Sequence, residues 1–124
     1  MNLTQITLPT RNIEESADFY RRMGFLQIVD TAHYARFECE NGATFSLHLD
    51  DRPAAGVTTY FETTRLDALV GELAAKGFIF ELPPTDQRWL WREARLKDPA
   101  GNLLCLFNPG ENRRFPPWRV ERRG

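Results

Sequence analysis

The side chains that could carry chemistry in this chain are few. Its two histidines are His33 and His48, and its two cysteines, Cys39 and Cys105, fit no CxxC or Cys/His zinc spacing. Two reduced, buried thiols are the expectation. Trp89, Trp91, Glu93 and Arg95 follow one another at every second position, a spacing that sets all four on one face of an extended strand. Two indoles beside a carboxylate and a guanidinium offer large apolar area with polar handles, which suits a flat ring. Glu93 or His48 could act as acid or base. Cys105 could act as a nucleophile only if a positive neighbour, for which Arg95 is the candidate, lowered its pKa. The plain alternatives are a solvated His48 and His33, and arginine partners for Glu62 and Glu93. At least one of these two glutamates is expected in an ion pair.

Composition bounds what such residues can serve. Hydrophobic residues are 42% and charged residues 27% of 124 positions, the balance of a globular domain and not of a disordered chain. The length is enough to bury a core without disulfides. The net charge is −1, and residues 111–124 hold five Arg and two Glu, leaving −4 for the rest. A mildly acidic body lacks the strongly basic face that nucleic acid requires, so no nucleic-acid partner is expected. No basic stretch followed by an apolar run opens the chain, and no apolar segment nears the roughly 18 residues of a membrane span. A cytoplasmic location without membrane contact is therefore expected.

The elements that position these residues are read from an internal repeat. Residues 5–25 align without a gap on residues 58–78 at an offset of 53, and 42–48 align on 101–107 at an offset of 59. The six extra residues are expected in a loop at Pro83-Pro84-Thr85-Asp86-Gln87. Each half starts with a short alternating strand. A capping signal follows, Asn12 with Glu15 and Thr64 with Asp67, and opens helices over about 13–23 and 65–76. The stripes Ile13, Ala17, Tyr20 and Leu66, Leu69, Val70, Leu73 each define one buried face. Gly24 and Gly77 supply equivalent left-handed stops. Strands are then expected at 25–30, 33–40 and 43–50, and at 78–82, 88–97 and 102–108. Asn41-Gly42 and Asp98-Pro99-Ala100-Gly101-Asn102 supply the turns. The expected fold is α+β, two tandem βαβββ repeats, with boundaries near 3–52 and 57–109 and a basic tail over 110–124.

Alternation assigns the strand faces. Ile6, Leu8, Phe45, Leu47 and Leu49 go beneath the first helix, leaving Gln5, Thr7, Thr44, Ser46 and His48 on the open face. In the second half Thr59, Phe61, Leu90, Ala94, Leu96, Leu104 and Leu106 face the helix. Thr58, Tyr60, Glu62, Trp89, Trp91, Glu93, Arg95, Leu103, Cys105 and Phe107 are left on the open face.

With LPTRN, IEES and ADFYRRMGF at its start and DPAGNLLCLF near its end, the chain resembles the vicinal-oxygen-chelate superfamily of glyoxalases, extradiol dioxygenases and bleomycin-resistance proteins. The bleomycin-resistance branch is the nearest in its Leu-Pro-Thr-Arg opening. The resemblance implies a cupped mixed sheet with a central cavity and pairing of two chains. It places the superfamily's metal ligands at positions that here hold Gln5, Ser46, Thr58 and Cys105. This set lacks the imidazole and carboxylate donors that such sites use, so no metal and no cofactor are expected. A displaced metal site would have to draw on His48, Glu62 or Glu93.

The leading expectation is a protein that sequesters a planar or cationic small molecule in an aromatic-lined cleft between repeats or between chains. The rival is a glyoxalase-like metal-dependent lyase or isomerase with a rearranged site. A third reading is a dimeric interaction or regulatory module. The expected assembly is a homodimer, with Phe115-Pro116-Pro117-Trp118 as an extended segment carrying two apolar anchors.

Overall fold

The structure is a computed structural model that describes residues 3–52 and 56–123. Met1, Asn2, residues 53–55 and Gly124 lie outside the described residues. The elements run β1 (Gln5–Thr10), α1 (Ile13–Met23), β2 (Leu26–Asp30), β3 (Tyr34–Glu38), β4 (Thr44–Leu49), β5 (Thr58–Glu62), α2 (Leu66–Ala75), β6 (Leu82–Asp86), β7 (Arg92–Lys97) and β8 (Leu103–Asn108). A 3-10 turn follows at Gly110–Arg113. The sheets are four-stranded, ordered β1-β4-β3-β2 and β5-β8-β7-β6. The chain is thus α+β with two βαβββ repeats. It clusters into two units, one running to Val57 and including Lys97–Leu103, the other Thr58–Leu96 with the chain from Leu104 onward.

In the first unit, α1 starts where the Asn12 side chain accepts from the Glu15 amide at 3.0 Å, satisfying a backbone donor that the helix leaves without a partner. It stops at Gly24, whose φ of 110° a residue with a Cβ adopts only with strain. Ile13, Ala17 and Tyr20 are buried as their spacing predicts. The Tyr20 ring meets Phe37 and Phe45 at centroid distances of 5.6 and 5.0 Å. Those two rings are cross-strand partners on β3 and β4 and stack at 5.3 Å. Each fully buried large side chain of this kind contributes roughly 1.5–3 kcal/mol. Leu49, expected beneath the helix, is instead 37% exposed, because it is the last residue of β4 and lies past the ring cluster.

The repeat is visible bond by bond. The Phe25 amide donates to the Tyr20 carbonyl, and the Phe78 amide donates to the Leu73 carbonyl, both at 3.1 Å. The β3–β4 turn closes with Cys39 N to Ala43 O at 2.8 Å and Gly42 N to Cys39 O at 2.9 Å. The β7–β8 turn repeats this 59 residues later, with Asp98 N to Asn102 O and Gly101 N to Asp98 O, both at 3.0 Å. Gly24 and Gly77 are equivalent, with φ of 110° and 96°.

The second unit departs from its sequence reading in four places. Thr64 does not cap α2: the helix begins after Arg65 with no side-chain cap bond, and Thr63 Oγ1 instead accepts from the Arg65 amide at 3.1 Å. Residues 78–81, expected in a strand, form none. The strand is β6, which contains Pro83, Pro84, Thr85 and Asp86, the residues expected in a loop. Proline is tolerated there because β6 is the sheet edge, where missing N–H donors leave no gap in a ladder. The pairing of β6 with β7 slips between Leu82 and Thr85. β7 begins at Arg92 and not at 88, since residues 87–91 form the connecting turn, closed by Gln87 N to Trp91 O at 2.8 Å. Leu90, expected on the helix face, has a φ of 71° in that turn and is 47% exposed. Of the α2 stripe, Leu66, Val70 and Leu73 are buried and Leu69 is half-buried.

The tail also differs from expectation. Phe115-Pro116-Pro117-Trp118 is not extended: the Arg119 amide bonds the Pro116 carbonyl at 3.0 Å, and Arg114 and Arg119 lie over the Phe115 ring at 5.2 and 4.5 Å.

Tyr20 is buried at 0% exposure, and its hydroxyl donates to Asp98 Oδ2 at 2.7 Å. Tyr20→Phe keeps the ring packing and removes one donor from a buried carboxylate. A loss of about 1–3 kcal/mol in urea unfolding is expected, and an unchanged midpoint would show that this bond carries no stability.

Candidate functional site

The open face of the first sheet carries a polar network. Gln5 Nε2 donates to Ser46 Oγ at 2.8 Å and to the Ile6 carbonyl at 2.7 Å, while Thr44 Oγ1 donates to Gln5 Oε1. Thr7 Oγ1 lies 3.5 Å from Gln5 Nε2. Ser46 Oγ is also 2.5 Å from the Tyr34 hydroxyl, whose oxygen accepts from Arg36 Nε at 3.1 Å and Nη2 at 2.9 Å. The Ser46 hydrogen bond above all, with Arg36 adding to it and burial opposing, holds the Tyr34 phenol below the ordinary tyrosine range. Tyr34 and Arg36 were absent from the sequence reading of this face. A signal for them existed, since they stand 59 residues before Glu93 and Arg95, the offset of the aligned turns, and they flank the buried Ala35.

His48 is exposed at the end of β4. It borders a hollow of about 460 Å³ lined also by Thr7, Pro9, Asp50, Arg52 and Asn102. Arg52 holds the Asp50 carboxyl down to about 2 through side-chain and backbone hydrogen bonds, so Asp50 is an anion at neutral pH. Among the described residues no Phe, Tyr or Trp lines this hollow, which makes it a poor cradle for a flat ring. His33 is exposed in the turn before β3.

The open face of the second unit brings together most of the residues expected there. Tyr60, Trp91 and Phe107 form a triad of rings, with centroids 5.9 Å apart for Tyr60 and Trp91, 5.3 Å for Tyr60 and Phe107, and 4.9 Å for Trp91 and Phe107. The Trp91 indole donates to the Asn112 carbonyl at 3.1 Å, so the 3-10 turn helps orient it. Tyr60 is 43% exposed and Phe107 3%, which gives a ring platform with one open side. Thr58 starts the same strand, and Glu62 at its far end pairs with Arg113 at 3.2 Å.

Glu93 is 1% exposed. One carboxylate oxygen takes Arg95 Nη2 at 3.0 Å and Nε at 3.2 Å, and the other takes the Trp89 indole at 2.9 Å. Both oxygens of this buried carboxylate are thus engaged, and its charge is met by the Arg95 guanidinium. An ion pair was expected for at least one of Glu62 and Glu93, and both form one. Arg95 also lies over the Tyr60 ring at 5.9 Å. Cys105 is fully buried, and burial, followed by the Glu93 charge, pushes its thiol up to about 12 against the opposing effect of Arg95. So little thiolate at neutral pH leaves no working nucleophile. Cys39, also a free thiol, is half-buried and not fully buried as expected.

The metal positions implied by the resemblance do not fit an ion. Gln5 and Ser46 are bonded to each other, Cys105 stays a protonated thiol, and Thr58 offers only a neutral hydroxyl. A divalent cation draws on carboxylate, imidazole or thiolate donors, which this set does not provide. Among the described residues, no three His, Cys, Asp or Glu side chains gather where they could hold a metal. No helix among them is long and apolar enough to cross a membrane.

Two outcomes follow. Treatment with a chelator is expected to leave the melting temperature unchanged, and a loss of several degrees would reveal a bound ion. Because the folded Cys105 pKa lies above the unfolded value, the protonated thiol favours the fold below about pH 8.5. That contribution is lost as pH rises through about 12. Cys105→Ala should flatten the alkaline fall in urea stability over this window, and an identical slope would place the loss elsewhere.

Comparison with known proteins agrees with this architecture. The profile of the Glyoxalase/Bleomycin resistance protein/Dioxygenase superfamily matches residues 2–106. An uncharacterised protein of Mycolicibacterium smegmatis is 33% identical over 109 residues, covering 84% of this chain and 90% of its own. A glyoxalase/bleomycin resistance protein/dioxygenase from Nocardioides has a similar structure, with a TM-score of 0.79 at 22% identity over 98% of this chain and 90% of its own. A bleomycin-binding protein complexed with bleomycin has a TM-score of 0.74 at 20% identity over 87% of this chain and 98% of its own. The repeat, its two glycine stops and these matches together make the chain a member of the glyoxalase/bleomycin resistance protein/dioxygenase superfamily.

Proposed function

We propose that this protein binds and sequesters a planar small molecule on the ring platform of its second unit, with no resident metal ion. The observation that carries this reading is the triad of Tyr60, Trp91 and Phe107, an aromatic cluster with Tyr60 43% exposed on the sheet face opposite α2. A core has no use for an exposed ring held edge-on to two others, whereas a flat ligand gains both area and quadrupole complementarity there. Sequestration needs affinity and no reactive group, and the groups nearest the platform are spent: Glu93 is neutralised and Cys105 stays protonated. The preference of this surface is for planarity more than for positive charge, since a cation would meet rings and Arg95 but no free carboxylate. A bleomycin-binding protein shares the fold, and its ligand is one example of what such a scaffold can hold. We also propose that two chains pair, with exposed Phe115 and Trp118 as apolar anchors. Light scattering at twice the chain mass is the expected result.

Acridine and neutral planar analogues should quench tryptophan fluorescence. Trp91→Ala should weaken their binding by about 1–3 kcal/mol, the scale of a central aromatic contact. Trp89→Ala should act less directly, through release of Glu93, and Trp118→Ala should leave affinity unchanged. Trp91→Ala protein that folds and binds these probes as tightly as the parent would end the aromatic-platform reading.

A further inference from the structure

The two repeats place an arginine at the same point of each open face and answer its charge differently. Arg36 and Arg95 are 59 residues apart, as are Tyr34 and Glu93 two positions before them. In the second unit the guanidinium is met inside the protein by the Glu93 carboxylate. In the first, the same edge of Arg36, Nε and Nη2, rests on the phenol oxygen of Tyr34. Arg36 is half-buried, and among the described residues no carboxylate pairs with it and Nη1 has no hydrogen-bond partner. A half-buried cation without a counter-charge carries a desolvation penalty that an anion would relieve. A planar guanidinium with one edge taken still offers the Nη1 and Nη2 pair in the geometry that grips two carboxylate oxygens.

We propose that the open face of the first unit is a carboxylate-binding site centred on Arg36, in which a ligand's carboxylate supplies the charge that Glu93 supplies in the second repeat. Tyr34 and Ser46 hold the guanidinium in place, and the Gln5 amide extends the polar wall. The site is independent of the aromatic platform, and either could exist without the other.

Benzoate, with the neutral isostere benzamide as its control, is the probe. Benzoate should bind the wild-type protein by calorimetry at low salt while benzamide does not. Arg36→Met should weaken benzoate by about tenfold or more, the loss of a hydrogen-bonded charge contact. Tyr34→Glu should install the internal carboxylate of the other repeat, keep the fold and abolish benzoate binding. This second variant decides the matter if Arg36→Met does not fold. Trp91→Ala should leave benzoate binding unchanged. Equal binding of benzamide, undiminished binding in Arg36→Met or in Tyr34→Glu, or a loss confined to Trp91→Ala would each overturn the proposal.

Discussion

A single buried carboxylate organises the first unit. Asp98, 4% exposed, accepts from the Tyr20 hydroxyl and Asn102 Nδ2, both at 2.7 Å, and from the backbone amides of Asn102 and Ala100 at 2.8 and 2.9 Å. Four donors make burial of the charge tolerable, because each replaces a water the carboxylate has given up. The consequences spread outward from there. The turn over residues 98–102 becomes rigid, Asn102 Nδ2 also reaches the Pro9 carbonyl at the end of β1 at 3.0 Å, and Tyr20 is held with its ring against Phe37 and Phe45. Helix, first strand and turn are thus locked by groups that have no other way to satisfy their hydrogen bonds. The equivalent turn at residues 39–43 has the same backbone bonds, but Cys39 stands where Asp98 does. The repeat therefore uses the turn geometry twice and the carboxylate hub once.

This division between shared geometry and unshared chemistry runs through the molecule. On the helix side, paired positions stay apolar: Ile13 and Leu66, Ala17 and Val70, Tyr20 and Leu73 are all buried. Packing constrains that side, since a polar replacement would be left without partners. On the open side, paired positions diverge: Ser46 and Cys105, Gln5 and Thr58, Tyr34 and Glu93. Ser46, Cys105 and Glu93 are buried as well, at 0%, 0% and 1% exposure, so each unit satisfies its own buried polar groups with its own partners, a hydrogen-bonded network in one and an ion pair beside a ring platform in the other. Membership of the superfamily follows from the packed side and leaves the chemistry to the open one.

On the open face of the second unit, the candidate reactive groups Glu93 and Cys105 are already engaged or kept protonated. Acid–base work needs a group with a proton to exchange and an accessible lone pair. Glu93 is spent on Arg95 and Trp89, and Cys105 is kept protonated by burial. The open face of the second unit thus answers its own charges, whereas the Arg36 guanidinium on the first rests on a phenol oxygen.

Sequence by itself determined the parts governed by local rules. Asn12, Gly24 and Gly77 mark helix ends through backbone geometry, the 3.6-residue stripes select the buried faces, and Asn41-Gly42 and Asp98 to Asn102 fold as turns, all within a few residues of their expected places. Alternation also placed Tyr60, Glu93, Arg95, Cys105 and Phe107 together. The tertiary structure decided the rest, because the deciding partners are distant in sequence. Pro83 and Pro84 could enter a strand only because β6 is an edge, which no local pattern states. Leu90, with a φ of 71°, lies in the turn between β6 and β7, and Trp89 and Trp91 are residues of that turn and not of the strand. The charge of Glu93 was legible as a residue type but not as a neutralised one, since that required Arg95 and the Trp89 indole to converge on it. Burial and convergence are properties of the assembled sheet, and they settle which of the legible side chains still has chemistry to offer.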